Sequence, residues 1–468
     1  MIRKELVLAS VVAVLSGCLV GPRYERPEII AESNQDAEYH SRPGDTVTRG
    51  EVMQQWWITL GEPELITLVN EALAVNNSVQ VARANLQVAR AGLRETARAR
   101  LPVGDASAGV TRQRQGQLFP GFTVEPNELY RLSIDAAWEL DFFGRVRQAT
   151  TASEMDVESA EAAVADAQVT VTAEVGLAFT QMRGAQRRLE VARRNAANQQ
   201  ATLELTQTLR DGGRGTDLDV ARAEAQLRAT QALMPNLFAN VQSQRYRLGV
   251  LTRRTPSQIA ELVAPNGRLP GIPLNVGVGA PSDLLRRRPD VRRAERQLAA
   301  ATLRISVATA DLYPRFDLLA SIGRQAFSAS GLTDAQARSY SFGPAVSWPL
   351  LDLKRTRARI DAADGRAHAA LNQLEQTWLA ALAETETAIV TFQSELARLE
   401  ALKDAASANV RAADLARKRY RAGVDNFLQV LDAERRVLES EDQLAGSETA
   451  AVVALIALYK SLGGGWEI

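Results

Sequence analysis

One cysteine and two histidines are the only thiol and imidazole groups in 468 residues, and their placing limits the chemistry open to this chain. His40 lies in a polar stretch near the N-terminus and His368 in a long helical one. No metal-ligating constellation, no nucleophile beside a base and no phosphate-binding glycine loop can be assembled, so the expectation is no catalytic, cofactor or metal site. The carboxylates alternate with arginines at helical spacing and read as solvated faces. Cys18 is different. Arg3 and Lys4 precede an apolar run from Leu6 to Leu15, too short to span a bilayer, and Leu15-Ser16-Gly17-Cys18 follows it. The chemistry this context offers a lone thiol is acylation after cleavage of the leader.

That tetrapeptide resembles the lipobox of bacterial lipoproteins, with cleavage before Cys18 and lipid on its thiol and new amino group. The alternative is a secretory signal followed by a free cysteine. Leu19, rather than Asp, after the cysteine resembles an outer-membrane sorting signal. A single cysteine excludes disulfides within the chain. Lys plus Arg (55) balance Asp plus Glu (55), so no basic field invites nucleic acid. With 46% apolar residues the chain can bury a large core.

The elements that must position these residues come in two copies. YRLSIDAAWEL at Tyr130 to Leu140 returns as YSFGPAVSWPL at Tyr340 to Leu350, and the same offset carries Gly213 onto Gly423 and Glu224 onto Glu434. Val20 to Val52 is polar and reads as an extended tether. A helix is predicted from Leu65 to Arg100, ended by Pro102, with its partner from Ser282 to Tyr313, ended by Pro314. The period then changes to 2. Tyr130, Leu132, Ile134, Ala136 and Trp138 point one way, as do Tyr340, Phe342, Val346 and Trp348; Phe316, Leu318, Ala320 and Ile322 form a third such run, and Val103 to Gln113 a weak, glycine-rich fourth. Such lengths fit tilted transmembrane strands, with aromatics near both ends. A half-buried sheet of a soluble domain alternates in the same way. Four strands per chain cannot close a barrel with a lumen, and open edges are not tolerated in lipid, so a membrane reading requires several chains to share one barrel.

Gly144 to Arg210 and Lys354 to Tyr420 are proline-free, alanine-rich and of equal length, and at about 1.5 Å per residue each helix would span roughly 100 Å. Small apolar residues at three- and four-residue steps form a packed seam, as in a wall of helices or a plain soluble coiled coil. Each long helix ends at a turn, Gly213-Arg214-Gly215-Thr216-Asp217 and Gly423-Val424-Asp425-Asn426. Thr216 with Asp219, and Asn426 with Gln429, have the spacing of capping boxes for returning antiparallel helices. Pro235 should kink the first returning helix. Leu251 to Pro281, rich in proline and glycine, is a connector without predicted regular structure, and the apolar stretch Ala450 to Tyr459 is too short to be a membrane span.

Val20-Gly21-Pro22-Arg23-Tyr24-Glu25-Arg26-Pro27 after Cys18, then Trp56-Trp57, then Pro281-Ser282-Asp283-Leu284-Leu285-Arg286-Arg287-Arg288-Pro289-Asp290, resemble the TolC-type outer-membrane efflux factors, more closely their OprM-like lipoprotein branch. The resemblance implies an α+β membrane protein: a homotrimer with a twelve-stranded outer-membrane β-barrel continued by a twelve-helix periplasmic α-barrel. Four strands per chain agree with three chains. It implies a passive exit duct for drugs or other toxic small molecules. The duct would be docked at its tips, Gly213, Gly215, Thr216, Asp217, Gly423, Val424, Asp425 and Asn426, by a periplasmic adaptor (membrane fusion) protein. An inner-membrane pump of the resistance-nodulation-division type would supply energy. The segment from Tyr420 to Glu434 is similar to the family's periplasmic gate, matching Leu428 and Asp432. Leu218 and Arg222 hold the equivalent positions of the first half, and Arg222 of one helix pair is expected to meet Asp432 of another in the closed state. The expected division is a signal peptide at 1–17, a lipidated tether at 18–60, a first repeat at 61–255, a connector at 256–281 and a second repeat at 282–468. A structural or adaptor lipoprotein bridging the periplasm, or a duct for type I protein secretion or metal-ion efflux, are the alternatives.

Overall fold

The computed structural model describes residues 19–27, 39–41, 46–114, 126–264 and 267–466; the leader, Cys18 and the loop at 115–125 lie outside the described residues. In chain order the elements are β1 (Val47–Thr48), α1 (Trp56–Thr59), α2 (Pro63–Val75), α3 (Asn77–Arg98), β2 (Val103–Gln113), β3 (Asn127–Glu139), α4 (Arg145–Asp211), α5 (Asp217–Leu251), α6 (Pro256–Leu262), β4 (Val276–Gly277), α7 (Leu284–Arg287), α8 (Pro289–Ala310), β5 (Arg315–Ala326), β6 (Arg338–Ser347), α9 (Leu353–Arg421) and α10 (Phe427–Ser461). Contacts group them into two units. One comprises Met1–Pro27, Asn85–Glu161 and Arg293–Glu375, the other Glu28–Ala84, Ala162–Arg292 and Gln376–Ile468.

In the first unit the strands form one antiparallel sheet in the order β2-β3-β5-β6. Its register aligns the alternating residues across strands. Ala106 stands opposite Ile134, Ile134 opposite Ile322, and Ile322 opposite Tyr340, so one face is apolar on all four strands. Ser107, Ser133, Asp135 and Ser321 share the other face, where the Ser133 hydroxyl lies 2.8 Å from an Asp135 carboxylate oxygen. Among the described residues no core packs on the apolar face: Ile322, Phe342 and Tyr340 are 66%, 73% and 87% exposed. Apolar surface on this scale needs a partner phase, and lipid is the phase that suits alternating strands. Edge strands β2 and β6 pair with no further strand among the described residues. β2 was weak in sequence because its share of that face holds Gly104, Ala106 and Ala108, too small to register as hydrophobic, and Val110 as its one large apolar side chain.

Two tryptophans at equivalent places tie strands to helices. Trp138 Nε1 donates to the carbonyl of Arg100, and Trp348 Nε1 to that of Leu312, each at 3.0 Å. Beyond β3 the chain turns at Gly144 (φ 80°) into α4. The Asp141 carboxylate accepts from the backbone N–H groups of Val146 and Arg147 at 3.0 and 2.8 Å, satisfying donors that a helix start leaves free.

The second unit holds the main core. Trp56, fully buried, stacks on Tyr459 with ring centroids 5.6 Å apart, and Gly176 lets the helix approach: a Cβ there would stand 2.7 Å from the indole. The apolar stretch of α10 that is too short for a membrane span is buried here, with Leu455, Ile456 and Leu458 inaccessible. The expected single helix from Leu65 to Arg100 is two, α2 and α3. Asn76 adopts an extended ψ of 134°, its amide donates to the Leu251 carbonyl at 2.9 Å and its side-chain oxygen accepts from Ser78 N–H at 2.8 Å. Side chains that offer the backbone other partners compete with helix, and Asn76 does so. The partner predicted from Ser282 to Tyr313 is likewise divided, at Arg288, because Pro289 opens a new helix better than it continues one. Pro235 lies within α5, which runs through it from Asp217 to Leu251 without a break. The connector does carry regular structure: α6, and β4 paired in parallel with β1 from the tether.

The long helices match their sequence expectation to within a residue or so, α4 at 67 residues and α9 at 69.

Candidate functional site

The two hairpin tips are built on one backbone plan. The chain leaves α4 through Gly213 with φ 74°, and α9 through Gly423 with φ 73°. Arg214 N–H returns to the Leu209 carbonyl at 2.8 Å and Val424 N–H to the Arg419 carbonyl at 3.0 Å, the closing bond of a left-handed helix terminus. Thr216 and Asp219 form the full reciprocal capping box on α5. On α10 only half of the expected box exists: the Asn426 side chain accepts from Gln429 N–H at 3.3 Å, with no return bond.

The tips meet. Arg214 of the first lies over Gly423 of the second, where a Cβ would stand 3.1 Å from its guanidinium. Phe427, Val430, Leu203 and Leu227 pack the hairpins together behind a shared cavity of about 680 Å³. Gly213, Gly215, Thr216 and Asp425 line that cavity together with Arg222 and Leu428. Leu218 and Asp432, the other two expected gate residues, are exposed and outside it. Asp217 is exposed and lies 3.6 Å from Arg210 across the turn. Asp432 accepts from Arg436 Nε at 2.9 Å, one turn along its own helix, while Arg222 has no ion pair with a described residue of its chain.

Charge is arranged differently at the two tips. Arg419 donates twice to Asp425, at 2.6 and 3.0 Å, and these bonds hold the Asp425 carboxyl below its ordinary range. The equivalent of Asp425 is Gly215, laid flat on the helix end with room for no side chain: a Cβ would be 3.0 Å from Arg210 N. Further along α10, Glu434 is 4% exposed and accepts from Thr202 Oγ1 at 2.6 Å and Arg417 Nε at 2.9 Å. This buried node joins α4, α9 and α10. Sequence reasoning passed over it although a signal was there, since Glu434 falls on the apolar stripe of Phe427, Val430 and Val437.

The segment that follows Cys18 is packed rather than loose. Leu19 lies against Gly144 at the end of the sheet, and Gly21 (φ 95°) is pressed so closely on α8 that a Cβ would be 2.6 Å from Ser306 Cα. Ser306 Oγ donates to the Pro22 carbonyl at 2.7 Å, and Arg26 Nε to the buried Glu295 at 2.8 Å. Burial, with Glu295 beside it, pushes the Tyr24 hydroxyl up to about 12. Residues 19–27 therefore form a strap that fixes the N-terminal end of the described chain where β3 becomes α4.

A lipid-facing sheet with open edges, joined to paired long helical hairpins, defines a subunit of a membrane-spanning channel. The chain belongs to the outer membrane efflux protein family, whose model matches it twice, at residues 68–252 and 280–464. It is 31% identical to outer membrane protein OprJ of Pseudomonas aeruginosa, over 97% of this chain and 94% of that one. It is 28% identical to the toluene efflux pump outer membrane protein TtgI of Pseudomonas putida, over 97% of both. The solved outer-membrane channel OprN superposes with a TM-score of 0.90 at 39% identity, over 96% of this chain and all of that one. The protein is an outer-membrane channel component of a tripartite efflux system, in a family of channels rather than enzymes.

Proposed function

We propose that three copies of this chain close one barrel and one helical tunnel, anchored by lipid on Cys18, and that the tunnel narrows at rings of Leu428 and Asp432. Open edges on a four-stranded lipid-facing sheet support the trimer, because unpaired strand edges in hydrocarbon are untenable. The strap supports the lipid, since it brings residue 19 to the sheet's end, where an acyl chain meets the bilayer.

One observation carries the gate: among the described residues Arg222 has no ion pair, and Asp432 has only an exposed one, to Arg436 four residues on. Such pairs contribute about 0.3–0.5 kcal/mol, so Asp432 is easily recruited by a better partner. Arg222 of a neighbouring hairpin is that partner in the closed state, and Leu218 and Leu428 form the apolar part of the constriction. A periplasmic adaptor docks on the tip residues and shifts this balance, and a resistance-nodulation-division pump drives the cargo. The cargo class is apolar small molecules, in line with the name of the toluene efflux relative.

Single-channel conductance of purified trimers tests the gate. Asp432→Ala and Arg222→Ala should each raise the open fraction severalfold; no change in either removes these residues from the gate. Cys18→Ala should abolish incorporation of labelled palmitate.

A further inference from the structure

Away from the tips, α4 and α5 enclose a half-open cavity of about 850 Å³ whose rim includes Gly267 to Leu269 of the connector. A Cβ on Gly267 would collide with the Arg183 guanidinium, so the connector lies flat there. The lining is divided in character. Leu189, Val241, Leu269 and the half-exposed Phe238 supply an apolar floor. Arg187 and Arg193 from α4, Arg245 from α5 and Arg268 from the connector supply four guanidinium groups against two carboxylates, Glu190 and Glu448.

Both carboxylates are used by the same arginine, Arg187, at 3.0 and 4.0 Å. Arg193, Arg245 and Arg268 have no hydrogen bond or ion pair among the described residues, and Arg245 Nε is buried without an acceptor. Arg268 is felt by Glu62 only through its charge. In a chain of net charge zero this is a local cationic excess held against an apolar floor. Guanidinium forks match carboxylates in pairs of parallel hydrogen bonds. These three forks come from three separate elements, which suits several carboxylates spaced along a chain better than one compact anion. The floor suits an aliphatic or aromatic side chain between them.

We propose that this cavity binds an acidic peptide segment of a periplasmic protein, presenting two or more carboxylates around one apolar side chain. The proposal depends on the channel reading only for the compartment in which the cavity is exposed. Its ligand site lies apart from the tip residues assigned to adaptor docking and gating.

Calorimetric titration of the full-length detergent-solubilised trimer with an amidated peptide of alternating glutamate and leucine tests it. Saturable binding is expected, weakening as salt rises and falling about tenfold or more in Arg193→Gln and in Arg245→Gln. Arg245→Lys should recover part of the loss. Arg247→Gln, on the same helix but facing Glu174 at 4.0 Å, should bind as the parent does. Unaltered conductance of Arg245→Gln trimers keeps a failure here distinct from a failure of the channel reading. The proposal is overturned if the parent shows no saturation, if a glutamine-for-glutamate peptide binds equally, or if inorganic phosphate competes as well as the peptide. It is also overturned if Arg268→Cys trimers take up no charged maleimide beyond the parent's background, since a second copy of the chain would then cover the cavity.

Discussion

At the first tip Gly213 turns the chain at φ 74° and Thr216 caps the returning helix; at the second Gly423 turns it at 73° and Asn426 does the capping. The charged side chains diverge. Glu224 is exposed and within 3.8 Å of Arg228 on its own helix, whereas its counterpart Glu434 is buried and ties α10 to both α4 and α9. Gly215 lies flat where Asp425 reaches back to Arg419. The two halves thus share what the backbone requires at a helix end and differ in what holds each hairpin in place. The second hairpin is fastened by the buried Glu434–Arg417 pair, whereas the first tip carries a side-chain capping box and an exposed Arg210–Asp217 contact, so the buried share of the charge lies with the second.

The largest expected effect separates the two glutamates. Glu434→Ala leaves Arg417 partly buried without its carboxylate, and breaking a buried pair costs about 3–5 kcal/mol. Glu224→Ala should stay within about 0.5 kcal/mol. Thermal dissociation midpoints of the trimers compare them, and equal shifts would erase the distinction. Glu434→Gln, which keeps an acceptor for Thr202, should fall between. Next come the turn glycines. Ala at either position is strained by the positive φ, at about 1 kcal/mol. Gly213 has open space around it, while a methyl on Gly423 must also displace Arg214, so Gly423→Ala is expected to be the more destabilising. Thr216→Ala should cost about 1 kcal/mol through loss of its cap, read as faster hydrogen exchange at the start of α5.

Much of this architecture was legible because it is written in period and repetition. Strict alternation from Tyr130 to Trp138 located β3, and unbroken alanine-rich spacing located α4 and α9 almost to the residue. What escaped depends on contacts between distant segments. Asn76 divides a helix because Leu251, far along the chain, offers its carbonyl. The strap at 19–27 looked like tether because its partners, Gly144, Glu295 and Ser306, are brought to it only by the fold. Glu434 was visible on an apolar stripe, but its meaning needed Thr202 and Arg417. The arginine cavity draws on α4, α5 and the connector, and no local pattern joins them. The tip glycines and the Thr216 cap could be read directly, since a helix end imposes its requirements within a few residues.

The smallest expected effect is also the one that tests whether Asp425 distinguishes the tips. Arg419 holds the Asp425 carboxyl below its ordinary value through two hydrogen bonds, so the folded tip binds a proton less readily than the unfolded chain does. Its contribution is therefore fully present above an ordinary aspartate pKa of about 3.9 and is lost as pH falls through the lower folded value. Hydrogen exchange of the amides from Tyr420 to Asn426 should be faster in Asp425→Asn than in the parent at neutral pH, and the two should converge in strong acid. The amides from Arg210 to Thr216 of the same molecules provide the reference, because Gly215 stands where Asp425 does. If the second tip shows no difference between Asp425→Asn and parent at neutral pH, the Arg419 bond contributes nothing to holding that tip, and the asymmetry of fastening rests on Glu434 alone.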